Sequence, residues 1–283
     1  MSRALSGLDH PLVGVADLEA ARATWTRLGF TITPRGRHIG WGTANYCIMF
    51  PDGYVELLGV VDAGQFTAGL PEQLAARGEG MLRFALGSPD AAAAGMRLRE
   101  GGIAAGEPQN LKRIFELPEG DVEPGFALVH LPDDALPGLP LFISQHLTPA
   151  LLRRPEWLRH PNGATGIGSI TAVVDHPAQW FDRYRRIFGS GACTMTDDTL
   201  TVQLGNCALV LITPHDLDTM HPDATMPAGA APPYYAALRF SCLEPAAVEA
   251  VLARNGIDFV TDLDGTVRVP AAEANGVIVE FGR

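Results

Sequence analysis

The stretch Leu8 to Val60 opens as LDHPLVGVADLEAARATWTRLGFTITP and closes as FPDGYVELLGV. Val13 to Ala16 completes a strand, Asp17 is placed to cap a helix, and Leu18, Ala21, Trp25 and Leu28 recur at helical spacing. Gly29 ends that helix, and strands are expected at Phe30–Thr33, Gly42–Phe50 and Tyr54–Val60, the last two joined by the turn Pro51-Asp52-Gly53. The unit reads βαβββ. Glu56 lies inside Tyr54-Val55-Glu56-Leu57-Leu58, a run otherwise suited to burial, where a bare carboxylate costs several kcal/mol unless a cation or donors meet it.

The same plan recurs down the chain. Met81–Leu86, a helix from Asp90 to Glu100, and strands near Lys112–Leu117, Phe126–Leu131 and Leu139–His146 make a second unit. Leu147 to Ala164 has proline breaks and no strand signal, so it reads as a connector. Ile167–Val174, Pro177–Phe188, Cys193–Thr196, Leu200–Leu204 and Ala208–Thr213 form a third unit, and Pro214 to Pro233 reads as a long loop. Tyr235–Cys242, Pro245–Asn255, Ile257–Thr261, Gly265–Val269 and Val277–Phe281 form a fourth. Repetition at roughly 70 residues fixes an architecture. A single such unit leaves sheet edges unpaired, so the units are expected to pair into two lobes, 1–147 and 165–283, joined by 148–164. The fold class is α+β.

Bulk properties narrow the function. The 283 residues are 47% hydrophobic, enough for more than one core, and the net charge of −11 is spread without a basic block, which argues against nucleic acid and anionic membrane as partners. No apolar run approaches the roughly 18 residues of a membrane helix, and the first residues lack a secretory apolar region, so a cytoplasmic protein is expected. Cys47, Cys193, Cys207 and Cys242 are widely spaced in apolar segments and read as buried free thiols.

These residues resemble the vicinal oxygen chelate superfamily, and within it the glyoxalase-like domain proteins. The most family-like residues are the His in LDHPLVGV, Gly42-Thr43-Ala44-Asn45, and the Glu in YVELLGV. The resemblance implies paired βαβββ modules with curled mixed sheets and a divalent metal in the cleft of a module pair, held by first and last strands. His10 and Glu56 are then ligands, with His146 as a third; the metal (Fe, Mn, Zn, Ni or Mg) is left open. Arg83 falls opposite His10 in the second module, and an arginine does not ligate metal. It is left to bind a substrate anion, while Glu56 and Arg83 stand as the catalytic pair. Thr43, Asn45 and Gln145 are further candidates for substrate binding. In the second half the matching positions are approximately Ser169, Leu211, Ala237 and Glu280, so chemistry is expected in the first lobe.

Two functional readings follow. One is a metal-dependent lyase, isomerase or oxygenase acting on a small substrate with adjacent oxygens. The other is a metal-free protein that binds a small molecule in the same cleft, with Glu56 paired to Arg83. A homodimer is left open. His38, in Arg35-Gly36-Arg37-His38, is expected in an exposed turn, and His160 is expected to brace the connector.

Overall fold

The computed structural model describes residues 4–224, 226 and 230–283. The first lobe runs β1 (Gly7–Gly14), α1 (Leu18–Arg27), β2 (Gly36–His38), β3 (Thr43–Met49), β4 (Tyr54–Val60), α2 (Leu70–Arg77), β5 (Gly80–Gly87), α3 (Ala91–Glu100), β6 (Gln109–Phe115), β7 (Gly125–His130) and β8 (Leu141–His146). Asp17 accepts hydrogen bonds from the Glu19 and Ala20 amides at the start of α1, and Asp90 caps α3 through Ala93. The second lobe runs β9 (Ala164–Val173), α4 (Phe181–Phe188), β10 (Cys193–Thr196), β11 (Thr199–Gln203), β12 (Ala208–Ile212), α5 (Leu217–Met220), β13 (Tyr234–Cys242), α6 (Pro245–Arg254), β14 (Val260–Thr261), β15 (Val267–Val269) and β16 (Ile278–Gly282).

The eight strands of the first lobe close into a barrel in the order β1-β4-β3-β2-β6-β7-β8-β5. β1 pairs antiparallel with β5, and closure on the far side comes from β2 against β6, with His38 opposite Arg113. The second lobe forms an open sheet, β10-β11-β12-β9-β13-β16-β15-β14, whose edge strand β14 has two residues. An edge that short offers too little ladder to close upon.

Alternate residues of each barrel strand face inward. On β4 these are Tyr54, Glu56 and Leu58, while Val55 and Leu57 join the large core between sheets and helices. That core runs through both lobes: Trp25, Phe30 and Phe50 meet Phe240 ring to ring, and Phe84 meets Tyr235. The cysteines are free and buried.

Three local expectations are corrected. Phe30–Thr33 forms no strand: Phe30 leaves α1 to pack on Phe240 and Phe281, and the short strand forms later, at Gly36–His38. No element is assigned from sequence between Val60 and Met81, yet Leu70–Arg77 is a helix lying over the barrel. Within the long loop, Leu217–Met220 is helical, and residues 225 and 227–229 fall outside the described residues.

Candidate functional site

The barrel encloses a cavity of about 120 Å³, walled by aliphatic and aromatic side chains including Leu12, Leu58, Leu82, Tyr54, Phe126 and Phe142. Its polar members come from several strands: His10 from β1, His38 from β2, Thr43 from β3, Glu56 from β4, Arg83 from β5, Arg113 from β6, His130 from β7 and Ser144 from β8.

One wall carries a hydrogen-bonded chain. His146 Nε2 donates to both Asp9 oxygens at 2.9 and 3.0 Å, Asp9 accepts from His10 Nδ1 at 2.7 Å, and His10 Nε2 stands 3.3 Å from Glu56 Oε2. The other Glu56 oxygen accepts from Asn45 Nδ2 and lies 3.9 Å from His38 Nε2. His38 Nδ1 shares a 2.8 Å hydrogen bond with Thr43 Oγ1. Asn45 gains its place because Gly36, across the β2–β3 ladder, has no side chain: a Cβ there would sit 2.2 Å from Asn45 Oδ1.

Charge follows from these contacts. Burial opposes ionisation of Asp9, but hydrogen bonds from His10 and His146 outweigh it and hold the carboxyl well below its usual range. Burial likewise works against a charged His10, yet hydrogen bonds to Asp9 and Glu56 raise it to about 9. Glu56 is driven down to about 2, burial being outweighed by His10 and, further off, His38 and Arg113. His38 shifts the other way, since burial lowers it more than Glu56 restores. At neutral pH the wall therefore carries carboxylate, imidazolium, carboxylate, and beside them a neutral imidazole.

Several sequence-derived candidates are placed differently from expectation. His10 and Glu56 come together, but His146 turns its Nε2 to Asp9 and away from Glu56. Equal spacing of strand and capping aspartate in the two modules matches His10 with Arg83 and Leu12 with Ala85. Glu56 lies beside Leu12, and the residue beside Ala85 is Phe142, so Phe142 holds the matching place. The residues between β7 and β8 hid that register from the sequence. Gln145 faces outward, accepting from the Ala91 amide at 2.9 Å and donating to Pro89, where it braces the start of α3. Arg83 lines the cavity but does not pair with Glu56; its Nη2 donates to Gln73 of α2 at 2.9 Å. Thr43 lines the cavity and holds His38, and Asn45 supports Glu56 from within the strand layer.

His38 is inside the barrel, not in an exposed turn. Arg113 is a second residue that the sequence reading missed, although its spacing from Leu111 and Phe115 puts it on the inward face of β6. The connector residue His160 braces its surroundings, accepting from the Thr31 amide at Nδ1 and donating to the Met49 carbonyl from Nε2.

The second lobe offers a different set of residues at the matching places. By the same spacing its matching residues are Ser169, Val210, Ala237 and Glu280, one residue from the expected Leu211. Glu280 is consumed by neighbours: His221 Nδ1 at 2.8 Å, Arg268 Nε at 2.6 Å and Arg239 at 3.7 Å.

Two curled mixed sheets built from paired βαβββ modules, one closed around a buried polar wall, define a two-lobed glyoxalase-like fold. The Glyoxalase-like domain profile matches residues 8–188, and the chain belongs to that family. No functionally curated protein matches it significantly. A solved hypothetical protein from Staphylococcus aureus superposes with TM-score 0.68 at 14% identity, covering 98% of this chain and 99% of the other. A mutant of 4-hydroxymandelate synthase from Streptomyces coelicolor superposes with TM-score 0.60 at 12% identity, covering 99% and 93%. At such identities the likeness is one of fold. Among the described residues no helix is long and apolar enough to cross a membrane.

The donor set does not fit the divalent metal that the family resemblance implies. Among the described residues no group of three or more His, Cys, Asp or Glu is placed to hold one. His10 and Glu56 are engaged with each other, their counterparts are Arg83 and Phe142, and two arginines line the same cavity. A site built for a cation would not be lined by two further cations.

Proposed function

We propose that the first-lobe barrel binds a small organic molecule and moves a proton on it, without a resident metal ion. The observation that carries this reading is the chain Asp9, His10, Glu56 along one wall of an apolar cavity, with neutral His38 beside it. Enclosed apolar pockets with a few convergent polar groups are the usual form of small-molecule sites. A neutral imidazole accepts a proton near pH 7, and Glu56 is positioned to stabilise the imidazolium that forms. His10, held charged by two carboxylates, keeps Glu56 ionised for that task. The reaction class is isomerase- or lyase-type proton transfer.

The divalent-metal enzyme remains the second reading because Asp9 on His10 Nδ1 is the brace that orients many metal-ligating histidines. No step above depends on it.

The test is a thermal-shift screen of small organic molecules against wild type and Leu58→Trp, which fills the cavity. Ligands are expected to stabilise wild type alone. Proton transfer is read by NMR as deuterium entering the ligand in D2O, present with wild type and lost in His38→Gln. Equal stabilisation of Leu58→Trp, or exchange that survives His38→Gln, would remove the corresponding half of the proposal.

A further inference from the structure

Arg113 stands in the barrel interior without a carboxylate partner. It is 2% exposed, its Nη1 donates to Cys47 Sγ at 3.5 Å, and neither Nε nor Nη2 has a hydrogen-bond partner. It makes no ion pair among the described residues. The rings of Phe115 and Phe126 lie 5.5 and 5.3 Å from its guanidinium carbon and give partial compensation. Glu56 is not a free partner, because His10 and Asn45 already occupy it. Two further groups of the same cavity are short of partners: Arg83 Nε and the buried Ser144 hydroxyl.

A buried guanidinium with unmet donors is costly unless something arrives to meet it. An acceptor for these unmet donors therefore has to come from a ligand. From this we infer that the cavity takes a small organic carboxylate, its charged end on Arg113 and its body against the leucines and aromatic rings. The inference rests on the proposed small-molecule reading and names the class of ligand. Planar, two-oxygen anions match the fork of an arginine better than a point charge or a neutral amide does. Size sets the other bound: an apolar cavity of about 150 Å³ holds a benzene, so 120 Å³ admits a body of about one ring. Monocarboxylates of benzoate or hexanoate size meet both limits.

The experiment measures binding of benzoate, phenylacetate and hexanoate, and of their neutral amides, by calorimetry on wild type, Arg113→Met and Arg113→Lys. For wild type the acids are expected to bind at least about tenfold more tightly than the amides, the range of a charged hydrogen bond. Arg113→Met should abolish that preference and Arg113→Lys should keep part of it. Without ligand, Arg113→Met should melt no lower than wild type, since it removes a buried guanidinium with two unmet donors; a clear drop would show a structural arginine and overturn the inference. Amides binding as well as acids would overturn the inference and leave the cavity reading standing. Failure of every compound would overturn both. An acid preference surviving in Arg113→Met would overturn the assignment to Arg113.

Discussion

His10 Nε2 lies 3.3 Å from Glu56 Oε2 while its Nδ1 holds Asp9 at 2.7 Å, so one imidazolium bridges two buried carboxylates. The cation next to Glu56 that the sequence demanded is this ring, not Arg83. Its consequence is a stability that depends on pH through identifiable groups.

His10 is raised from 6.5 to about 9 in the folded chain. A raised histidine contributes stability that is full below the unfolded value and lost as pH climbs through the folded one. Glu56, depressed from 4.5 to about 2, contributes above 4.5 and loses its contribution as pH falls toward 2. His160 works in the opposite sense to His10: burial lowers it to about 4, so its contribution is complete above 6.5 and fades between 6.5 and 4. The difference in melting temperature between wild type and His10→Asn isolates the first of these. That difference should be largest near pH 6 and shrink toward pH 9.5; a difference independent of pH would mean that His10 is neutral in the fold.

Glu56→Gln and Glu280→Gln separate site from scaffold. Each carboxylate is buried and holds a histidine, so each variant should lose about 3 kcal/mol of stability at neutral pH, the scale for stranding one member of a buried pair. Only Glu56 borders the cavity. Ligand affinity should therefore change in Glu56→Gln and stay at the wild-type level in Glu280→Gln. A larger binding loss from Glu280→Gln would put the site in the other lobe.

Much of this was open to the sequence, and what escaped it has physical causes. Strands such as Tyr54–Val60, a short apolar run, and Cys193–Thr196, with its two-residue alternation, are marked locally, and Asp17 and Glu56 are conspicuous for the same reason. His38 is not, since Arg35-Gly36-Arg37-His38 is polar and turn-like, and only pairing of β2 with β6 turns the ring inward. Arg113 resembles a solvent-facing charge until the barrel closes and makes that face an interior. The place of His146 depends on the register of β8 after the loop 131–140, a quantity that local pattern does not carry.

Metal uptake gives a separate check. With His10 engaged on both nitrogens and Arg83 and Arg113 on the same cavity, exchange against Fe, Mn, Zn, Ni and Mg salts should leave no stoichiometric ion in the purified protein by elemental analysis. Tight uptake of one ion per chain, lost in His10→Ala, would restore the metalloenzyme reading and require His10 to exchange Glu56 for the ion.

The connector tests the link between the lobes. Read from sequence, Leu147 to Ala164 is a connector with proline breaks, and in the fold it is tied down. Asn162, fully buried, donates from Nδ2 to the Leu28 carbonyl at 2.9 Å and accepts from the Ala164 amide at 3.0 Å. Its own amide donates to Gly29, whose φ of +88° and missing side chain allow the approach, since a Cβ there would lie 2.9 Å from Asn162 Cβ. The bonds satisfy carbonyls at the end of α1 that the helix leaves open. Asn162→Ala strands the buried Leu28 and Ala164 groups and should cost roughly 2 kcal/mol. Limited proteolysis of wild type should spare residues 148–164, and the variant should be cut there sooner under the same conditions, with fragments identified by mass. Wild type cut in that segment as fast as Asn162→Ala would show that these bonds do not hold the connector, and that the lobes are joined by a tether after all.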